Sequence, residues 1–120
     1  MTMTDSVWPT EIRLSPDKRT LSVSFDDGVS VVIPAELLRV RSPSAEVQGH
    51  GAGQRKTVPG KRAVGILQIE PVGSYAVRLL FDDGHNTGIF TWSFLREMGE
   101  GKDSMMAEYE AELKEKGFSR

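Results

Sequence analysis

Apolar positions along this chain recur every second residue in several short stretches separated by turn residues. Glu11 to Leu14 reads as a first strand with Ile12 and Leu14 on one face, entered through Trp8-Pro9 and closed by the turn Ser15-Pro16-Asp17-Lys18. Leu21, Val23 and Phe25 alternate with Ser22 and Ser24, and after Asp26-Asp27-Gly28 the run Val29 to Ile33 continues the pattern. A three-residue loop pairs Phe25 with Val29, Val23 with Val31 and Leu21 with Ile33 on one face, whereas a two-residue loop would turn the second strand's apolar set outward. Gly28 then takes the left-handed position. Pro34 opens a short helix over Ala35 to Val40, with Leu37 and Leu38 inward.

The second half repeats the plan. Val64 to Ile69 has apolar residues on both faces and predicts a central, doubly covered strand ended by Pro71 and Gly73. Tyr75, Val77, Leu79 and Phe81 alternate toward the core. The loop Asp82-Asp83-Gly84 places His85 opposite Phe81 and Ile89 opposite Val77. Thr91 is the expected N-cap of a helix from Trp92 to Met98, with Gly99 as its C-cap. FDDG thus stands in two related strand–turn–strand–helix units. The expected fold is a β-rich α+β single domain of antiparallel hairpins with two short helices over residues 8–99, after a polar, frayed start at residues 1–7. Residues 100–120 predict a hinge and a peripheral amphipathic helix, Ser104 to Lys116, ended by Gly117. Its stripe of Met106, Tyr109 and Leu113 is narrow enough that the helix is expected to be dispensable for folding, and Glu110/Lys114 and Glu112/Lys116 sit at ion-pair spacing.

Composition narrows the chemistry. The 120 residues suit one modest core, with 38% hydrophobic and 27% charged residues. The net charge of −2 gives no general attraction to nucleic acid or anionic membrane. With no cysteine, disulfides, thiolate metal sites and cysteine nucleophiles are excluded. The N-terminus lacks the pattern of a signal peptide, and no apolar run is long enough to span a bilayer, so a cytoplasmic location is expected. Gln48 to Arg62 is glycine-rich and reads as a loop. Its GHGAGQRK segment fits neither phosphate-binding glycine pattern and reads as a loop whose backbone can approach a partner.

Candidate residues fall into two groups. His50 and His85 are the two histidines, and with Glu46, Asp82 and Asp83 they offer nitrogen and oxygen donors without a local ligand spacing. The paired aspartates are read as hairpin chemistry, since each turn lacks further oxygen ligands for a cation. Arg39, Arg41, Arg55, Lys56, Lys61 and Arg62 make the middle of the chain basic, but no aromatic lies between Asp26 and Ser74, so an acidic protein surface or anionic small molecule is favoured over nucleic acid. Arg41, Glu46, His50, Gln54, Arg55, Lys61, Arg62, Asp83 and Trp92 are the residues expected to meet a partner or ligand. No GxSxG is present, and neither histidine has a visible serine partner in the sequence.

Three segments, LLRVRSPSAEVQGHGAGQ, IEPVGSYAVRLLFDDGHNTGI and TWSFL, together resemble the N-terminal domain of gamma-butyrobetaine hydroxylase in its small free-standing bacterial form, over about Trp8 to Gly99. The resemblance implies a compact β-rich α+β domain. In the hydroxylases it is fused to a 2-oxoglutarate- and iron-dependent oxygenase domain, and in plastids a related domain is fused to iron–sulfur scaffold ATPases. It also implies a zinc site of three cysteines and one histidine. The cysteine positions fall here on Ser42, Ser44 and Val47, and the histidine on His85. Serine and valine do not replace thiolates, so the resemblance implies a lost zinc site. Three readings follow: a non-catalytic binding or accessory module acting with a protein partner and holding no cofactor; a protein that weakly binds iron or zinc through His85 and His50; and a small enzyme of unrecognised type.

Overall fold

The computed structural model describes residues 8–44 and 57–120. Among them, two three-stranded antiparallel sheets are each followed directly by a helix. The first sheet is a meander of β1 (Pro9–Leu14), β2 (Thr20–Phe25) and β3 (Ser30–Pro34), leading into α1 (Ala35–Val40). The second is β4 (Ile66–Val72), β5 (Ala76–Phe81) and β6 (Ile89–Thr91), leading into α2 (Trp92–Glu100). A third helix, α3 (Lys102–Lys116), follows. The expected α+β single domain is therefore what the chain forms, around one continuous apolar cluster drawn from both sheets and all three helices.

The first hairpin has the anticipated register. Leu21 faces Ile33 and Val23 faces Val31, and the Phe25 amide donates to the Val29 carbonyl at 2.8 Å. Leu21, Val23, Phe25, Val31 and Ile33 are buried. Each acidic turn is closed in the same way. Gly28 and Gly84, at φ +88° and +92°, donate to Phe25 and Phe81. The second aspartate of each turn accepts the amide two residues on, Val29 in one and His85 in the other.

The two halves meet by crossed contacts. Arg39 and Arg96 are both the fifth residue of their helix. Arg96 of α2 binds Asp27 in the first half's turn, and Arg39 of α1 binds Asp83 in the second half's turn. The helix ends make a second crossed pair. Gly99, in α2, lies so close to Val31 of β3 that an added Cβ would overlap it; in the mirror position Gly88 lies as close to the hydroxyl of Ser42, just beyond α1. Each contact thus sets a glycine against a larger residue, but with the small partner on opposite elements.

Several expectations change. Gly99 lies inside α2, and Gly101 is the C-cap, because the approach to Val31 and not a left-handed turn calls for the glycine at 99. β4 is an edge strand rather than a central one. A register break between Ile66 and Gln68 leaves Leu67 59% exposed, and pairing continues through Pro71, whose missing N–H an edge strand tolerates. Tyr75 lies before the strand and is exposed; Val77, Leu79 and Phe81 are buried. Ile89 pairs with Arg78, not Val77, because the stretch after His85 holds one more residue than its counterpart in the first hairpin; Phe90 takes the buried place. Thr91 caps α2 as anticipated, accepting from the Phe94 amide at 3.2 Å.

The hinge before α3 is a single residue, Gly101, and no side chain caps the helix start. Its narrow stripe is nonetheless part of the core: Tyr109 is fully buried and Leu113 nearly so. Tyr109 donates to the Val58 carbonyl at 2.5 Å, and Arg120 holds the buried Glu36 of α1 by two hydrogen bonds. This packing speaks against the expected dispensability, which a truncated chain tests directly. Glu112 is turned onto Arg41 instead of pairing with Lys116. Gly117 ends the helix at φ +71° as expected. Among the described residues, no helix is long and apolar enough to cross a membrane.

Candidate functional site

The halves differ most where the second turn meets the end of α1. His85 occupies the place that Val29 holds in the first hairpin, accepting the Phe81 amide with its carbonyl as Val29 accepts that of Phe25. Its ring is buried, 5.9 Å from the Phe81 ring centroid, and Nε2 lies 3.0 Å from Ser42 Oγ. Ser42 Oγ also accepts from the Ser44 amide at 3.3 Å, and Ser44 Oγ lies 2.6 Å from Thr87 Oγ1. Gly88 closes over Ser42, leaving that serine fully buried. The helix end and the widened hairpin therefore bring together positions 42, 44 and 85, which the resemblance groups. Val47, Glu46, His50, Gln54 and Arg55 lie outside the described residues.

The donor chemistry does not fit a structural zinc. Zinc takes thiolates, imidazoles and carboxylates, whereas positions 42 and 44 present neutral hydroxyls, and one of these is hydrogen-bonded to the imidazole that would be the remaining ligand. No group of three or more metal-ligating side chains occurs among the described residues.

His85 does have a serine partner, contrary to the reading of the sequence alone. The pair is not built as a nucleophile and base. Ser42 has no exposed surface for a substrate to reach, and Asp83 binds the main-chain N–H of His85 rather than its ring.

Of the residues expected to meet a partner, Lys61 and Asp83 come together. Lys61 Nζ and Arg39 Nε each lie 2.7 Å from the same Asp83 oxygen. Partial burial would raise the Asp83 pKa, but hydrogen bonds from Lys61, the His85 amide and Arg39 outweigh it and hold the carboxyl down at about 2. Arg41 is buried and internal: it binds Glu112 at 2.9 Å and Glu108 at 3.4 Å and lies over the Tyr109 ring. Burial and the nearby Glu36 push the Tyr109 hydroxyl up to about 12, so it stays a neutral donor. Arg62 lines an open groove of about 310 Å³ with Leu113, Phe118 and Arg120. Trp92 is at the opposite end of the second sheet, donating to the Ser74 carbonyl, and does not join this group.

Thr87 and Gly88 were not among the candidates, and Arg39 was counted in the basic stretch but not among the residues expected to meet a partner. Arg39 was detectable in principle, because it and Arg96 stand at matching places after the two FDDG turns. Thr87 and Gly88 carry no such signal; their role depends on the extra residue in the second hairpin.

The fold recurs in solved structures. One protein solved by NMR in solution is 46% identical, with a TM-score of 0.81 over 95% of this chain and 90% of that one. A second NMR structure is 41% identical, with a TM-score of 0.84, covering 100% of this chain and 89% of its own. A crystal structure of a protein of unknown function from Acidithiobacillus ferrooxidans, of the DUF971 family, is 42% identical, with a TM-score of 0.64 over 76% of this chain and 91% of that one. No curated protein shows significant similarity to the chain. The family model described as gamma-butyrobetaine hydroxylase-like, N-terminal, matches residues 12–96, and the chain belongs to that family.

Proposed function

We propose that this protein is a non-catalytic accessory module of the cytoplasm that acts with a protein partner and holds no resident metal. The observation that carries this reading is the buried hydrogen bond between Ser42 and His85. Of the positions the family resemblance assigns to zinc ligands, Ser42 and His85 are buried and hydrogen-bond to each other, and Ser44 is buried with its hydroxyl on Thr87. What remains near the surface beside them is charged rather than catalytic, Lys61 and Asp83, and Arg62 lines a separate open groove against the C-terminal helix. Affinity purification of the tagged protein under native conditions tests the reading. A defined partner should co-purify with the wild type and be lost with the charge reversals Lys61→Glu and Arg62→Glu, both of which should remain folded. Equal recovery with wild type and both variants, or no partner at all, would contradict it.

A further inference from the structure

The crossed arginines provide an internal comparison. At the first turn, Arg96 is fully engaged: Nη1 and Nη2 donate to the two oxygens of Asp27 at 3.3 and 2.9 Å, and Nε donates to Glu100 at 2.9 Å. One cation there faces two carboxylates. At the second turn the balance is reversed. Arg39 and Lys61 share a single oxygen of Asp83, so two cations face one carboxylate, and the other oxygen of Asp83 is taken by the His85 amide. Arg39 Nη1 is buried and has no hydrogen-bond acceptor. The reason is local. Glu100 stands four residues after Arg96 because α2 runs that far, but α1 ends at Val40, and the residue four after Arg39 is Pro43. A buried guanidinium N–H without an acceptor is costly, and a carboxylate is the group that matches its planar donor fork.

We propose that the Arg39–Lys61 pair is a binding site for a carboxylate, which supplies at the second turn what Glu100 supplies at the first. The side chains of Arg39 and Lys61 keep 13% and 22% exposure, so the pair reaches the surface, while Nη1 itself is covered and meets a carboxylate only once that cover is displaced. Their joint charge with Asp83 leaves one positive charge for the incoming anion. Among the described residues, Glu36 is committed to Arg120 and Glu112 to Arg41. The carboxylate can be a free small acid or an acidic side chain of another chain.

The test is a titration of the full chain followed by amide and arginine-side-chain NMR, at constant ionic strength, with acetate, glutarate and tetraglutamate peptide, and with chloride as the control anion. Saturable shifts at Arg39 Nε–H, Lys61 and Gly84 are expected for at least one carboxylate, with the Arg96 side-chain signal unmoved. Saturation by glutarate or acetate assigns a free acid; saturation by the peptide alone assigns a side chain of a partner. Lys61→Ala should weaken the binding at least fivefold, and Arg39→Gln should abolish it. If Arg39→Gln does not fold, Lys61→Ala decides alone. Linear shifts equal to those from chloride, or binding unchanged in Lys61→Ala, would overturn the proposal. Neither result depends on whether a partner co-purifies.

Discussion

At the first acidic turn Asp27 grips Arg96 with both oxygens; at the second, Asp83 divides itself among Arg39, Lys61 and the His85 amide. The backbone of the two turns is the same because both obey the same hydrogen-bonding demands: a glycine at positive φ and an aspartate that closes onto the amide two residues on. What differs is the surroundings. Valine in one half stands against histidine in the other, a glutamate against a proline, and a regular hairpin against one with an extra residue. All three differences gather around one pole, Asp83, His85 and Ser42, while the Asp27 pole is ionically closed. Repeated structure here marks what the fold requires, and the departures from the repeat coincide with the candidate site.

The largest break in the comparison should come from α3, which covers α1 with Tyr109 and Leu113. A chain ending at Gly101 should lose cooperative thermal unfolding. Leu113→Ala should cost about 2–5 kcal/mol in denaturant melts, the range for emptying a buried leucine site. A truncated chain that melts as sharply as the full one would show that the first half needs no cover.

Next are the paired glycines at the crossed helix ends. Gly99→Ala and Gly88→Ala should each cost about 1–3 kcal/mol, as added atoms in a filled space do. Ser42→Ala should relieve much of the Gly88→Ala cost, because the hydroxyl is what the new methyl meets. Additive losses in the double variant would separate the two residues.

The strands, both FDDG turns and the first hairpin's register could be derived from the chain because period-two burial and turn chemistry are local. The place of Gly99 could not, since it depends on Val31, far away in sequence. The slip that buries Phe90 instead of Ile89 was hidden for a related reason: one extra residue in Asn86 to Gly88 reverses which side chain faces in, and nothing in its composition announces a bulge. The candidate site was half visible. The resemblance grouped Ser42, Ser44 and His85, but the hydrogen bond that joins Ser42 to His85 requires the two halves to be assembled.

Gly28→Val and Gly84→Val should have similar effects, on the order of 1–2 kcal/mol, because each glycine sits in the same strained conformation with open space around it. A clearly unequal pair of melting shifts would show that the turns are not equivalent.

The smallest effect concerns pH. The Asp83 carboxyl titrates at about 2 in the folded chain against 3.8 for the free group, so the unfolded chain binds its proton first as pH falls. Its contribution is therefore full above about pH 4 and lost between about pH 4 and 2. Allowing for solvent screening, this amounts to about 1 kcal/mol. Asp83→Asn should flatten that part of the stability–pH curve. Asp27, also lowered by its hydrogen bonds from Arg96 and the Val29 amide but exposed, should give a shallower change on the same substitution. Equal flattening by both would remove the distinction between the poles.

The most direct test is of the second pole itself, where Ser42 and Ser44 stand at positions the resemblance assigns to thiolates and His85 is hydrogen-bonded to Ser42. Elemental analysis of tag-free protein, with thermal melts before and after chelator, measures this. The account predicts no stoichiometric zinc or iron, a melting midpoint unmoved by chelator, and a cooperative melt retained in His85→Ala. Near-stoichiometric metal, held through purification and lost in His85→Ala, would contradict it.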